Sequence, residues 1–335
     1  MNSVTYSELK RIPYIARGFM TDQMLYNYPY FDDGKNLYLL PFANNDHKFT
    51  FLMAIPVESF YYARQTMDDK KDVFIEFFNI LICQYSFSSI NTCLGHIKND
   101  VLNISAVLEK YFIYHNFIAH VSEKYSPFPI IIWTDIEYFF GLIRSLFDHM
   151  QILIKHFVKR YQKVELTSSF AGMLDEEKVE LKSKYNTLPP KIKEYYENIA
   201  GFFFKCRDIR DKIYHQGMPK GSIFYFEDGF GIDENLFDFS NFNVWPKDKI
   251  KTNSIVSLLG LLSYISKTVI QNLNTLGLAI HESFTPTNPF ISQDYIILLR
   301  GTCTEHLNKL DFYMTEQWVT NVDNLSTKKS NNLRN

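Results

Sequence analysis

The chain has 335 residues, a hydrophobic fraction of 46% and a formal net charge of −2. That length supports one large or two smaller compact units, and that hydrophobic content excludes a largely disordered chain. Near-neutrality excludes a protein that coats nucleic acid without specificity, though it leaves room for a local positive site.

The N-terminal run Met1-Asn2-Ser3-Val4-Thr5-Tyr6 has no basic stretch followed by apolar residues, which reads as no signal peptide. Residues 22–66 lack helical periodicity. Asn36–Phe42 and Lys48–Ile55 read as short strands joined by the polar turn Asn44-Asn45-Asp46. From about 69 to 124 the spacing turns helical, with Phe74, Phe77, Phe78, Leu81 and Ile82, then Leu102, Ile104, Val107, Leu108 and Tyr111. Pro127 and Pro129 read as a boundary, so the expected division is 1–128, 129–285 and 286–335.

Residues 135–161 predict a long amphipathic helix, capped by Thr134 or Asp135, with Phe139, Phe140, Ile143, Leu146, Phe147, Met150, Leu153, Ile154 and Phe157 inward. Glu137, Arg144, Asp148 and Lys155 share its polar strip. Residues 164–188 are polar and read as a surface connection with one short helix.

Pro189-Pro190 opens a second long helix whose stripe runs Ile192, Tyr195, Ile199, Phe202, Phe203, Cys206, Ile209 and Ile213. Gly217 and Pro219 end it. Ser222–Phe226 and Gly229–Ile232 around Glu227-Asp228 predict a hairpin. A third helix is expected over roughly 252–281 and a further one near 293–316, before a polar tail. The fold class is therefore mainly α: an antiparallel helix bundle with small β-hairpin insertions.

Familiar enzyme motifs are absent: no phosphate-cradling glycine loop, no H-E-x-x-H, no nucleophile elbow and no Cys/His zinc spacing. Cys83, Cys93, Cys206 and Cys303 form no C-x-x-C and read as small core residues in a reducing compartment. The apolar segments 73–83 and 255–265 are too short and interrupted to span a bilayer. These features predict a cytoplasmic protein with no membrane partner, no cofactor and no metal.

One pattern carries chemistry. Arg210-Asp211 is followed by His215 at the end of the second long helix. An arginine holds and neutralises a phosphate, and a histidine moves protons near neutral pH. Lys205, Arg207, Lys212 and Lys220 add local positive charge, opposed by Asp208 and Asp211. A histidine four to six residues after an arginine is common: Arg144 with His149 and Arg300 with His306 are further examples, followed by Ser145 and Gly301 rather than by Asp, Asn or His. The bland alternative makes Arg210 and Asp211 part of a solvated mixed-charge face and His215 a helix cap. Arg144 and Asp148 read equally as an ordinary i,i+4 ion pair. Tyr214 reads as packing rather than as a platform for a base.

Arg210-Asp211-x-x-x-His215 resembles the R-[DNH]-x-x-x-H signature of HEPN-domain ribonucleases, and Phe140-x-x-x-Arg144-x-x-x-Asp148 resembles the neighbouring helix of HEPN-type bundles. The resemblance covers about 135–281. It implies a HEPN-like core, usually dimeric, and metal-independent cleavage of RNA in which the ribose 2′-OH attacks phosphorus and leaves a 2′,3′-cyclic phosphate. In that scheme Arg210 binds the phosphate, His215 is general base or acid, and Asp211 orients one of them. Arg144 and Asp148 support the arginine, and Lys205, Arg207 and Lys212 contact RNA. A toxin or antiviral defence role, a homodimer and an antitoxin or regulatory partner belong to the same expectation. The alternatives are a non-catalytic HEPN-like module for dimerisation or partner binding, and a helical scaffold in which the motif is coincidence.

Overall fold

A proline in the first turn of a helix forfeits no hydrogen bond, because its missing N–H has no partner there, and its fixed φ is already helical. Both central helices of this protein start that way. A computed structural model describes residues 88–118, 127–217, 219, 222–285, 306–307 and 309–319, together with Phe77, Leu81 and the backbone of seven strands within 4–64 and 295–299. Among the described residues the α-helices with defined bounds are α1 (Ser88–Ile118), α2 (Phe128–Gln162), α3 (Phe170–Met173), α4 (Pro190–Gln216), α5 (Leu258–Ser283) and α6 (Leu310–Glu316). The described fold is mainly helical with small antiparallel sheets.

The chain forms two compact units, Met1–Leu94 with Leu273–Thr302, and Gly95–Asn272 with Cys303–Asn335. In the first, β2 (Tyr30–Asp32), β3 (Asn36–Leu39) and β5 (Met53–Pro56) make one antiparallel sheet in the order β2-β3-β5. β1 (Val4–Thr5) pairs with β4 (Lys48–Phe49), and β6 (Phe60–Arg64) pairs with β12 (Tyr295–Leu299). The two strands expected at 36–42 and 48–55 are therefore three, and the helix expected from 293 gives way to β12. A run such as Ile296-Ile297-Leu298-Leu299 has no periodicity of its own, so pairing decides its state. Phe77 and Leu81 are fully buried, and the Phe77 N–H donates to Asn274 Oδ1 at 3.2 Å.

The second unit is built on α2 and α4. α2 begins at Phe128 with Pro129 in its first turn, seven residues before the expected cap at Asp135. The prolines expected to separate two segments in fact open the helix. α4 runs from Pro190 to Gln216 and ends on Gly217, whose φ of 67° is a left-handed value that favours glycine. The two helices pack antiparallel. Tyr196 donates to Gln151, and Tyr195 donates to Met150 Sδ at 3.0 Å. Nearer the start of α2, a carbon added at Gly141 would lie 3.3 Å from the Tyr214 hydroxyl.

Between these ends, Phe147, Phe170 and Phe203 form a three-ring cluster with centroids 5.0 to 5.1 Å apart. Phe170 comes from the segment expected to be a surface connection. It is fully buried, as are Met173 and, nearly, Leu174, so the segment plugs the bundle before β7 (Leu174–Asp175) and β8 (Glu180–Leu181) return it to solvent. Burying one such phenylalanine is worth about 1.5–3 kcal/mol, enough to outweigh the polar residues around it.

After α4 the expected hairpin forms: β9 (Ile223–Phe226) pairs with β10 (Gly229–Asp233), and β11 (Ile255–Ser257) completes an antiparallel sheet in the order β11-β10-β9. β11 takes residues expected to start the third helix, which begins at Leu258 instead. The C-terminal segment closes this unit. His306 stacks on Phe112 at 5.1 Å, and Tyr313 is fully buried. The Trp318 indole donates to the Lys249 carbonyl at 2.8 Å.

Gly229 holds the hairpin against α1. Its φ is 143°, and an added Cβ would lie 2.5 Å from the Tyr111 hydroxyl, which accepts the Phe230 N–H at 2.9 Å. Gly229→Ala is expected to lower stability by about 2–3 kcal/mol through backbone strain and overpacking, as read by urea denaturation of the full chain. An unchanged midpoint would mean that the hairpin is not clamped this way.

Candidate functional site

Arg210, Asp211, Tyr214 and His215 occupy the last two turns of α4. Residues five apart on an α-helix differ by about 140° in direction, so a single helix does not aim Arg210 and His215 at one point. Arg210 instead turns to its neighbour: its Nε donates to Asp211 Oδ1 at 2.9 Å, and Nη2 bonds the same oxygen. The two side chains are 33% and 40% exposed. The Arg210 guanidinium carbon also lies 5.8 Å from the Tyr214 ring centroid, within cation–π range. His215 is exposed, and among the described residues it has no hydrogen-bond or ion-pair partner. Asp211 thus bonds the arginine and not the histidine.

Tyr214 does not pack as the sequence suggests. It is 58% exposed, with its hydroxyl near Gly141 of α2. A tyrosine next to an inward Ile213 is pushed about 100° off the buried stripe, a signal the helical period already contained.

The surrounding cations are largely occupied. Arg207 pairs with Glu176 and with Asp208 at 3.3 Å, while its guanidinium carbon sits 4.9 Å from the Phe204 centroid. Lys212 pairs with Asp238. Lys205 donates to the Asn241 carbonyl at 3.0 Å. Lys220 lies outside the described residues. Glu176 from the β7–β8 turn and Asp238 from the loop after β10 are the partners that sequence reasoning missed, because they are 31 and 26 residues distant. The expected local positive site is thereby close to balanced.

Arg144 and Asp148 meet as an i,i+4 pair at 3.2 Å. Asp148 also accepts the Phe170 N–H at 3.1 Å, and Arg144 Nη2 donates to Ser169 Oγ at 3.3 Å. The Arg144 guanidinium carbon lies 5.5 Å from the Phe203 centroid. Phe203 is seven residues before Arg210, about 10 Å along the helix axis. The pair pins the start of α3 to α2, and no hydrogen bond or ion pair among the described residues links it to Arg210.

The second Arg–His spacing ends on His149, which faces α1. Its Nε2 lies 3.5 Å from Asp100 Oδ2, and its ring centroid is 5.1 Å from that of His96. Burial holds the His149 imidazole below its ordinary value; Asp100 and Asp148 oppose that shift and His96 adds to it. Among the described residues no group of three His, Cys, Asp or Glu side chains could hold a metal ion. No described helix is long and apolar enough to cross a membrane. Cys93 and Cys206 are buried, whereas Cys83 and Cys303 lie outside the described residues.

No protein-family model, curated protein or solved structure matches this chain.

Asp148→Ala removes both the partner of Arg144 and the acceptor for the Phe170 N–H. A loss of about 1–3 kcal/mol is expected in chemical denaturation; a loss near zero would show that this anchor is not used. His149 gives a pH dependence of known sign. Its folded value lies below the 6.5 of the free imidazole, so in that window the unfolded chain binds more protons. Stability should therefore fall as pH drops from about 6.5 through the folded value. Across that range the urea midpoint of wild type should fall relative to that of His149→Gln as pH drops; parallel curves would exclude His149 as the source.

Proposed function

We propose that this chain is a metal-independent endoribonuclease of HEPN type, with an antiparallel HEPN-like bundle as its core and a toxin or defence role. The observation that carries the reading is the end of α4. His215 is solvent-exposed without a described partner, and Arg210 reaches solvent one turn earlier, steadied by Asp211.

In the proposed reaction Arg210 binds the scissile phosphate and offsets charge gathering on its non-bridging oxygens. His215 accepts the 2′-OH proton as that oxygen bonds to phosphorus, or delivers a proton to the departing 5′-oxygen. The products are a 2′,3′-cyclic phosphate and a free 5′-OH. DNA, lacking the 2′-OH, is not cut. The divergence of Arg210 and His215 on one helix supports a homodimer, in which the arginine of one copy meets the histidine of the other across a two-fold axis. Asp211 is a positioning residue for Arg210. Arg144 and Asp148 support the site through the bundle rather than by touch, and Lys205 and Lys212 reach RNA once their present partners release them. An antitoxin or regulatory protein is the partner that would govern that release.

A non-catalytic HEPN-like module is the second reading. It is favoured by the balanced charge around α4, where Arg207, Arg210 and Lys212 each already hold a carboxylate.

Purified full-length protein is incubated with mixed RNA in excess EDTA, beside His215→Ala. Cleavage leaving cyclic phosphate ends, slowed at least about 100-fold in the variant, is the expected result. Equal traces of cleavage in both would remove the catalytic reading and leave the binding module.

A further inference from the structure

We infer that Tyr214 is a positioning residue for Arg210: the tyrosine ring supports the guanidinium face, and Gly141 of α2 seats the tyrosine. What Arg210 does is taken from the ribonuclease reading; how it is held stands on contacts alone.

Arginine is a long side chain, and aiming it costs rotamer freedom. Its planar guanidinium can be held by an edge or by a face. Asp211 takes an edge. Nε, at 2.9 Å, and Nη2 both donate to the one oxygen Oδ1, which leaves the fork of Nη1 and Nη2 for an anion. Two donors on a single oxygen still let the guanidinium plane swing about that oxygen. Tyr214, four residues on and on the same side of α4, opposes the swing. The guanidinium carbon lies over its ring, 5.8 Å from the centroid.

An i,i+4 contact between two exposed side chains is weak by itself, because either partner can change rotamer. Tyr214 is 58% exposed, so burial does not fix it. The neighbouring helix supplies the constraint instead. Leaving aside the backbone of α2 and the chain neighbours of Gly141, a Cβ there would meet one described atom within 4 Å, the Tyr214 hydroxyl at 3.3 Å. The notch left by the missing side chain therefore matches this tyrosine. Glycine is otherwise a poor choice inside a 35-residue helix. The dependence runs from Gly141 to Tyr214 to Arg210, and through it the α2–α4 contact reaches the arginine.

The test is 1H–15N spectroscopy of the full-length protein, with the Arg210 Nε–H identified by its loss in Arg210→Lys. Tyr214→Leu should shift that signal, and Tyr214→Phe, which keeps the ring, should leave it close to wild type. Gly141→Ala should shift it too, although alanine suits a helix interior better than glycine. Adding Tyr214→Phe to Gly141→Ala should bring the signal back, because the hydroxyl that meets the added carbon is gone. Thermal melts check that each variant is folded. With mixed RNA, Tyr214→Leu should lower kcat about ten-fold and leave KM within about two-fold, since misalignment weakens the reaction more than the encounter. An unmoved signal in Tyr214→Leu would overturn the inference. So would a Gly141→Ala shift that Tyr214→Phe does not reverse, or a wild-type kcat in Tyr214→Leu. The expected shifts without any cleavage by wild type would keep Tyr214 as the support of Arg210 and remove the ribonuclease reading.

Discussion

The antiparallel contact between α2 and α4 is the constraint on which the second unit depends. Its register is set by a buried polar side chain. Gln151 is fully buried; its Oε1 accepts from Tyr196, and its Nε2 donates to the Thr167 carbonyl at 2.7 Å. Sliding either helix by one turn would leave an amide and a phenol without partners in an apolar interior, a penalty of several kcal/mol. The phenylalanine cluster beside it would be satisfied by several registers, since hydrophobic contact is not directional. The polar bond selects, and the rings stabilise. From that fixed point the helical rise carries the register to the far end, where Tyr214 meets Gly141.

Charge around α4 divides into two kinds. Arg207 lies over the Phe204 ring with its side chain only 18% exposed, bonded to Glu176 and Asp208. Removing it from there costs packing as well as an ion pair, so it belongs to the architecture. Arg210 and Lys212 are more open, and their carboxylate partners lie at the surface. Exposed pairs of this sort contribute about 0–1 kcal/mol, because water and salt already screen the charges. A dianionic or polyanionic ligand can replace such partners at little cost. A balanced surface is therefore no obstacle to anion binding, provided that the balancing pairs are exposed.

What the sequence reveals follows the range of each interaction. The inward stripes of α2 and α4, Pro190 at a helix start and Gly217 at its stop are all legible, because periodicity, fixed φ and left-handed φ are local properties. The hairpin around Glu227-Asp228 is legible for the same reason. Pro127 and Pro129 mislead, since the same residues end one segment and begin the next helix. Phe170 misleads because a plug depends on a cavity formed by residues far away, and the polar run around it hides its burial. Glu176 and Asp238 are invisible as partners of Arg207 and Lys212 for a related reason: one comes from a turn and the other from a kinked 3-10 segment, where no α-helical period reports direction. β12 is settled only by its pairing with β6, from the other end of the chain.

The end of α4 shows why a short motif constrains chemistry less than it suggests. On a regular helix an arginine and a histidine five residues apart point about 140° apart, and lengthening either side chain does not close that angle. The spacing places both groups at one helix end and leaves convergence to something else. Gly217 ends the helix immediately beyond, so no further turn covers His215, and the N–H of Gly217 still closes on Ile213 at 3.0 Å. The last turn thus closes its backbone hydrogen bond while its outer face is exposed. Under the proposed reading, an open helix end carrying two divergent groups is incomplete as a monomeric active site and is completed when a symmetry mate presents the same end in reverse. On that reading, catalysis by this chain is therefore a property of its assembly, and any partner that occupies the end of α4 would silence it without touching the chemistry.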